Sequence, residues 1–137
     1  MRRFLVAATV TLLAVLQVAM AGVDRQEAID MMKKCQKETG SPEDVEELFD
    51  SQKIPESREG KCMMACVARA KGLMRGDEID IKTGTEFFER TYADDPEQLE
   101  KGAAIIGKCS TVDVSGMDGC DKAAAYAKCG QENGFRI

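Results

Sequence analysis

The sequence has no histidine and no tryptophan, only three prolines and two tyrosines, and aromatic residues make up 5% of it. Without histidine there is no imidazole to ligate zinc or to switch charge near neutral pH. A Ser–His or Cys–His catalytic pair is excluded for the same reason. The 24 acids guarantee neighbouring carboxylates, but nothing in their spacing marks two as a working pair, so no enzyme is expected. No second long apolar run follows the first one, so no membrane insertion of the remaining chain is expected. Basic residues are also in the minority, 19 against 24, for a net charge of −5. That balance argues against nucleic acid and against anionic membrane surfaces as partners.

What is present begins with an address label. Arg2 and Arg3 open the chain, an apolar run extends from Phe4 to Leu16, and Ala19-Met20-Ala21 closes the segment in the small-x-small form that signal peptidase cleaves. Thr9, Thr11 and Gln17 interrupt the run, which is too short for the roughly 20 residues a bilayer needs. Residues 1–21 therefore read as a signal peptide and residues 22–137 as one secreted helical domain, in extracellular fluid. Arg2 and Arg3 leave with the segment, so the mature chain is more acidic still.

The remainder reads as helices with marked ends. Ile29, Met32 and Cys35 recur at helical spacing until Gly40 stops them. Ser41-Pro42-Glu43-Asp44 restarts a helix, with Ser41 suited to cap and Pro42 to the first position, and Val45, Leu48 and Phe49 give it an apolar face. Ile54-Pro55 turns the chain, and a third helix over 57–70 carries Cys62, Met63, Cys66 and Val67 on its inner side. After Gly72 and Gly76, Ile79 and Ile81 alternate too briefly for a strand, and a fourth helix is expected from about Asp80, with Ile81, Phe88 and Tyr92 on one side. Asp95-Pro96-Glu97-Gln98 starts a fifth, whose buried side is Leu99, Ala103, Ile105 and Ile106. Ser115 or a neighbour caps a sixth, alanine-rich over 122–128 and ending at Gly130.

Six cysteines in a short secreted chain read as three disulfides, since the compartment is oxidising. Cys62 and Cys66 could suggest zinc, but histidine is absent and secreted thiols oxidise, so no metal and no cofactor are expected. One helical turn apart, these two cysteines point the same way and must reach different partners. Cys120 and Cys129 fall on opposite faces of the sixth helix, roughly 13 Å apart along its axis. Excluding those two bonds leaves ten of the 15 pairings that six cysteines allow.

The pattern Cys35-x26-Cys62-x3-Cys66-x42-Cys109-x10-Cys120-x8-Cys129, behind a signal peptide, resembles the insect odorant-binding proteins of the pheromone- and general-odorant-binding group. The resemblance covers the whole mature chain. It implies an all-α fold, six helices around an apolar cavity. It also implies the interlocked pairing Cys35–Cys66, Cys62–Cys120 and Cys109–Cys129.

The function implied is a secreted carrier of small hydrophobic ligands of the odorant or pheromone kind, with a membrane chemoreceptor and a homodimer partner as further expectations. Methionine supplies flexible, polarizable walls, and Met31, Met32, Met63, Met64, Met74 and Met117 are available for them. The residues expected to line the ligand site are Val67, Leu73, Met74, Ile81, Phe88, Tyr92, Ile105, Tyr126 and Phe135. Tyr92 and Tyr126 offer hydroxyls for orienting a ligand, and Phe135 with Ile137 either folds back as a lid or frays. Relatives that release ligand on acidification use histidine, so that switch is not available here. Two other readings compete: an extracellular scavenger or interaction protein of the same fold, and a saposin-like lipid module, whose cysteine spacing differs.

Overall fold

The helices start on side chains that satisfy their own first turns. A computed structural model describes residues 24–136, so the expected signal segment, its cleavage point and Ile137 lie outside the described residues. α1 (Arg25–Thr39) is capped by Asp24, α2 (Val45–Ser51) by Asp44 and α3 (Arg58–Ala70) by Ser57. α4 (Ile81–Thr91), α5 (Pro96–Cys109) and α6 (Gly119–Glu132) are capped by Asp80, Asp95 and Asp118. Each cap accepts a backbone N–H that the helix leaves unpaired, and an Asp also favours the positive helix end. Part of the chain's acidity is thus structural.

Two caps differ from the sequence reading. Ser41 does not start α2: its hydroxyl donates to the Glu43 carboxylate, which also accepts from Ser57, and Asp44 takes the capping position. Burial alone would push the Glu43 carboxyl up, but these hydroxyls and nearby backbone N–H groups reverse the effect and hold it below its ordinary value. Asp118, not Ser115, caps α6, which continues through Gly130 to Glu132. A short antiparallel hairpin, β1 (Met74–Arg75) with β2 (Glu78–Ile79), also lies where only a loosened connection was expected. Gly76 takes a φ of 57° at its turn, a left-handed conformation that suits glycine.

α3 is the hub. Its Met63 and Ala65 are fully buried, and disulfides tie it on one side to α1 through Cys35–Cys66 and on the other to α6 through Cys62–Cys120. Cys109–Cys129 then joins α5 to α6. Arg58 pairs with Asp118, and Lys61 lies 3.0 Å from Asp121, along the same α3–α6 seam. Four helices are covalently linked, whereas α2 and α4 carry no disulfide and are held by packing, by the Arg25–Asp50 and Lys33–Glu46 ion pairs and by the hydrogen bond from Thr83 to the Gly72 carbonyl.

The α4–α5 packing is close because glycines allow it. A Cβ at Gly102 would meet the Phe88 ring closer than the 3.0 Å that real Cβ contacts keep. Gly84 gives the same room to Ile106. Gly102 therefore belongs to the buried side of α5, and Ala103 is turned outward and exposed, contrary to the pattern read from apolar residues alone.

Candidate functional site

The inner faces of these helices do not close completely. Between them lies a cavity of about 110 Å³, walled mainly by apolar side chains. Four methionines reach it: Met32 from α1, Met63 and Met64 from α3, and Met74 from the hairpin. Met31, on α1, packs against the core cluster away from the cavity, and Met117 is 41% exposed, so neither belongs to this wall. At about 24 cal/mol per Å³, a hole of this size left empty costs about 2.6 kcal/mol. A single disulfide closing a loop of 20 residues offsets about 3 kcal/mol. The covalent frame therefore offsets what the open space costs the fold.

Of the residues expected at a ligand site, Val67, Leu73, Met74, Phe88, Ile105, Tyr126 and Phe135 all face this cavity. Ile81 does not. It occupies the first position of α4 and is 54% exposed, because the contacts that seat this end come from Thr83, bonded to the Gly72 carbonyl, and from Gly84. Tyr92 stands one layer farther out, stacked on Phe88 with ring centres 5.9 Å apart. It lines a second, outer hollow of about 660 Å³ between the end of α4, the start of α5 and the tail.

Phe88, Ile105 and Phe135 belong to both spaces and form the partition between them. Phe135 is brought there by a turn at Gly134 (φ 86°) and by its N–H bonded to the Gly130 carbonyl at 2.8 Å. Its ring meets Phe88 edge-on at 5.5 Å. The tail therefore folds back as far as Phe135, while Ile137 lies outside the described residues.

Polar groups on the inner wall are few. The Tyr126 hydroxyl donates to Glu78 at 2.8 Å, and burial together with that carboxylate pushes its pKa up to about 12. Glu78 is in turn held by Lys122. The lining also includes Lys53 and Lys71, and no acid. Sequence reasoning missed both lysines, together with Leu48, Phe49 and Ile79. The apolar faces of α2 and the hairpin carried a signal for the last three; a lysine carries none, since it ordinarily reads as surface.

Among the described residues every cysteine is in a disulfide, no cluster of His, Cys, Asp and Glu could hold a metal ion, and no helix is long and apolar enough to cross a membrane.

Comparison with known proteins supplies a context for this geometry. Residues 22–133 match the PBP/GOBP family model. General odorant-binding protein 19d of Drosophila melanogaster is 31% identical over 109 residues, 78% of this chain and 71% of that one. The solved structure of odorant-binding protein dmelOBP28a from Drosophila melanogaster is similar at a TM-score of 0.63 and 25% identity, covering 80% of this chain and 94% of that one. Apis mellifera odorant binding protein 5 is similar in fold, with a TM-score of 0.67 at 20% identity over 80% of this chain and 87% of that one.

Proposed function

The chain belongs to the PBP/GOBP family and carries small hydrophobic ligands, and we propose that it does so as a secreted protein, holding them in the methionine-walled cavity. The observation that carries the proposal is the cavity itself: a partly open apolar space within a disulfide-linked frame, whose walls an apolar occupant would cover. Residues 1–21 serve as the cleaved signal, and the oxidising compartment closes the three disulfides.

Size makes the partition functional. A cavity of about 110 Å³ is smaller than the roughly 150 Å³ hole that holds a benzene ring. Most odorant-sized molecules therefore require the walls to give. The methionines can re-pack, and displacement of Phe135 would join the inner space to the outer hollow. α4 carries Phe88 on an element with no covalent staple, so this side of the molecule is where entry costs least. Delivery to a membrane chemoreceptor and pairing with a second copy complete the proposal; neither is required for the cavity to take up ligand. The proposal contains no catalytic step.

Displacement of a fluorescent apolar probe, N-phenyl-1-naphthylamine, by a panel of volatile alcohols, aldehydes and esters tests it. The expected result is micromolar displacement by several members together with a raised melting temperature. Failure of the whole panel would favour a ligand-independent extracellular role. Co-flotation with vesicles in place of volatile binding would favour a lipid module.

A further inference from the structure

The charge on the cavity wall runs against the charge of the protein. The chain carries 24 acids against 19 bases, yet the two charged residues on the wall, Lys53 and Lys71, are both cations. Lys53 stands exposed in the connection between α2 and α3. Lys71 is different, because it is held in the wall. It is the C-cap of α3, its backbone N–H is bonded to the Val67 carbonyl at 3.0 Å, and Gly72 (φ 79°) turns the chain directly behind it.

Among the described residues the Lys71 ammonium has no hydrogen-bond acceptor and no ion-pair partner. The ammonium lies over the Phe87 ring, with the nitrogen 5.8 Å from the ring centre. A ring face attracts the cation but accepts none of its three N–H bonds in the way an oxygen would. Burial pushes the Lys71 pKa below its ordinary value, and only the charge of Glu27 acts the other way. A partly buried ammonium with open donors beside an apolar hole gains when an anion reaches it.

We propose that Lys71, with Lys53 at the rim, seats the carboxylate of an anionic amphiphile, a fatty acid whose hydrocarbon chain lies among the methionines of the cavity. This inference rests on the carrier reading and refines it: the cavity selects its ligand by head-group charge as well as by apolar bulk. The sign of the selection is diagnostic, since the net charge of the whole protein would favour cations over anions. Lys71 and Lys53 impose the opposite order locally.

The test uses the disulfide-intact protein at pH 7 and three probes of one chain length: octanoate, 1-octanol and octylamine. Octanoate is expected to bind roughly tenfold or more tightly than octylamine, the scale of one charge-assisted hydrogen bond. In Lys71→Met the octanoate-to-octylamine ratio should fall to within about twofold of unity, and Lys71→Arg should restore it. The wild-type series needs no variant and stands even if Lys71→Met fails to fold. Equal binding of all three probes by the wild type would overturn the anion seat and leave the carrier reading intact. An octanoate preference that survives in folded Lys71→Met would also overturn the assignment to Lys71. Binding of none of the three, with no displacement by the volatile panel, would overturn both readings.

Discussion

The Phe88 ring occupies the space that a side chain at Gly102 would need: a Cβ there would stand closer to it than the 3.0 Å real contacts keep. Phe88 is 2% exposed and forms part of the partition between the cavity and the outer hollow. A backbone-to-ring contact between α4 and α5 therefore sets where the cavity wall stands. Gly102→Ala is expected to force the ring inward, at a cost of about 1–3 kcal/mol. It should also weaken large ligands more than small ones. Chemical denaturation and displacement titrations with a graded alcohol series check this; unchanged stability and unchanged size preference would contradict it.

That contact also shows where sequence reading stops. The apolar periodicity of α5 is legible, and so are its start at Asp95-Pro96 and the partners of its neighbours. Periodicity weighs apolar bulk, so it assigned the inner position to Ala103, whereas a glycine faces inward because a ring fills the gap. At Ile81 the pattern named an apolar side chain but could not show that Thr83 and Gly84, rather than the first residue of α4, make the contacts that seat this end. At Ser41 several capping residues compete within four positions, and the contest is settled by Glu43, whose carboxylate binds two serines from different segments. The hairpin over 74–79 is too short for alternation to register. The cysteine framework was readable because its six positions are discrete. Lys71 was not, because its burial depends on Phe87 and on the turn at Gly72.

Phe135 is the member of the partition that stands on the tail, beyond the end of α6, rather than on a helix. Its ring is half-buried, meets Phe88 at 5.5 Å and sits against Gly130, where a Cβ would be 3.4 Å away. Phe135→Ala should merge the two spaces. Stability should fall by about 1–2 kcal/mol, less than for a fully buried phenylalanine. The dissociation rate of bound probe should rise several-fold in stopped-flow measurements, with a smaller change in the association rate. An unaltered dissociation rate would remove the tail from the gating of the cavity.

The three staples differ in the length of chain they close, with separations of 58 for Cys62–Cys120, 31 for Cys35–Cys66 and 20 for Cys109–Cys129. Replacing each pair by alanines should cost about 4, 4 and 3 kcal/mol in that order on loop entropy. Loss of Cys62–Cys120 should be the most damaging, because it also loosens the seam carrying Arg58–Asp118 and Lys61–Asp121. Melting temperatures of the three double variants give the order directly. Hydrogen exchange on the intact protein should show α4, which no disulfide holds, less protected than α3 and gaining the most protection when ligand is bound.

Acidification tests the absence of histidine. Glu78 is held below its ordinary value, first by the hydrogen bond that Lys122 donates to it and then by the one from Tyr126. A carboxylate whose folded pKa is lowered stabilises the fold above its unfolded value and loses that contribution progressively as pH falls from there through the lower, folded value. Glu43 has the same sign. Acidification also favours, and never removes, the charge on Lys71. With no histidine in the chain, the cavity wall has no imidazole to change charge between pH 7 and 6. Affinity for a neutral ligand should therefore stay within about twofold across that interval. It should fall only in acid strong enough to protonate Glu78, when Tyr126 loses its acceptor and the hairpin its tie to α6. Displacement titrations at half-unit steps from pH 7.5 to 3.5, followed in parallel by near-ultraviolet circular dichroism, read both events. A tenfold loss of affinity between pH 7 and 6 would show a switch built from other groups.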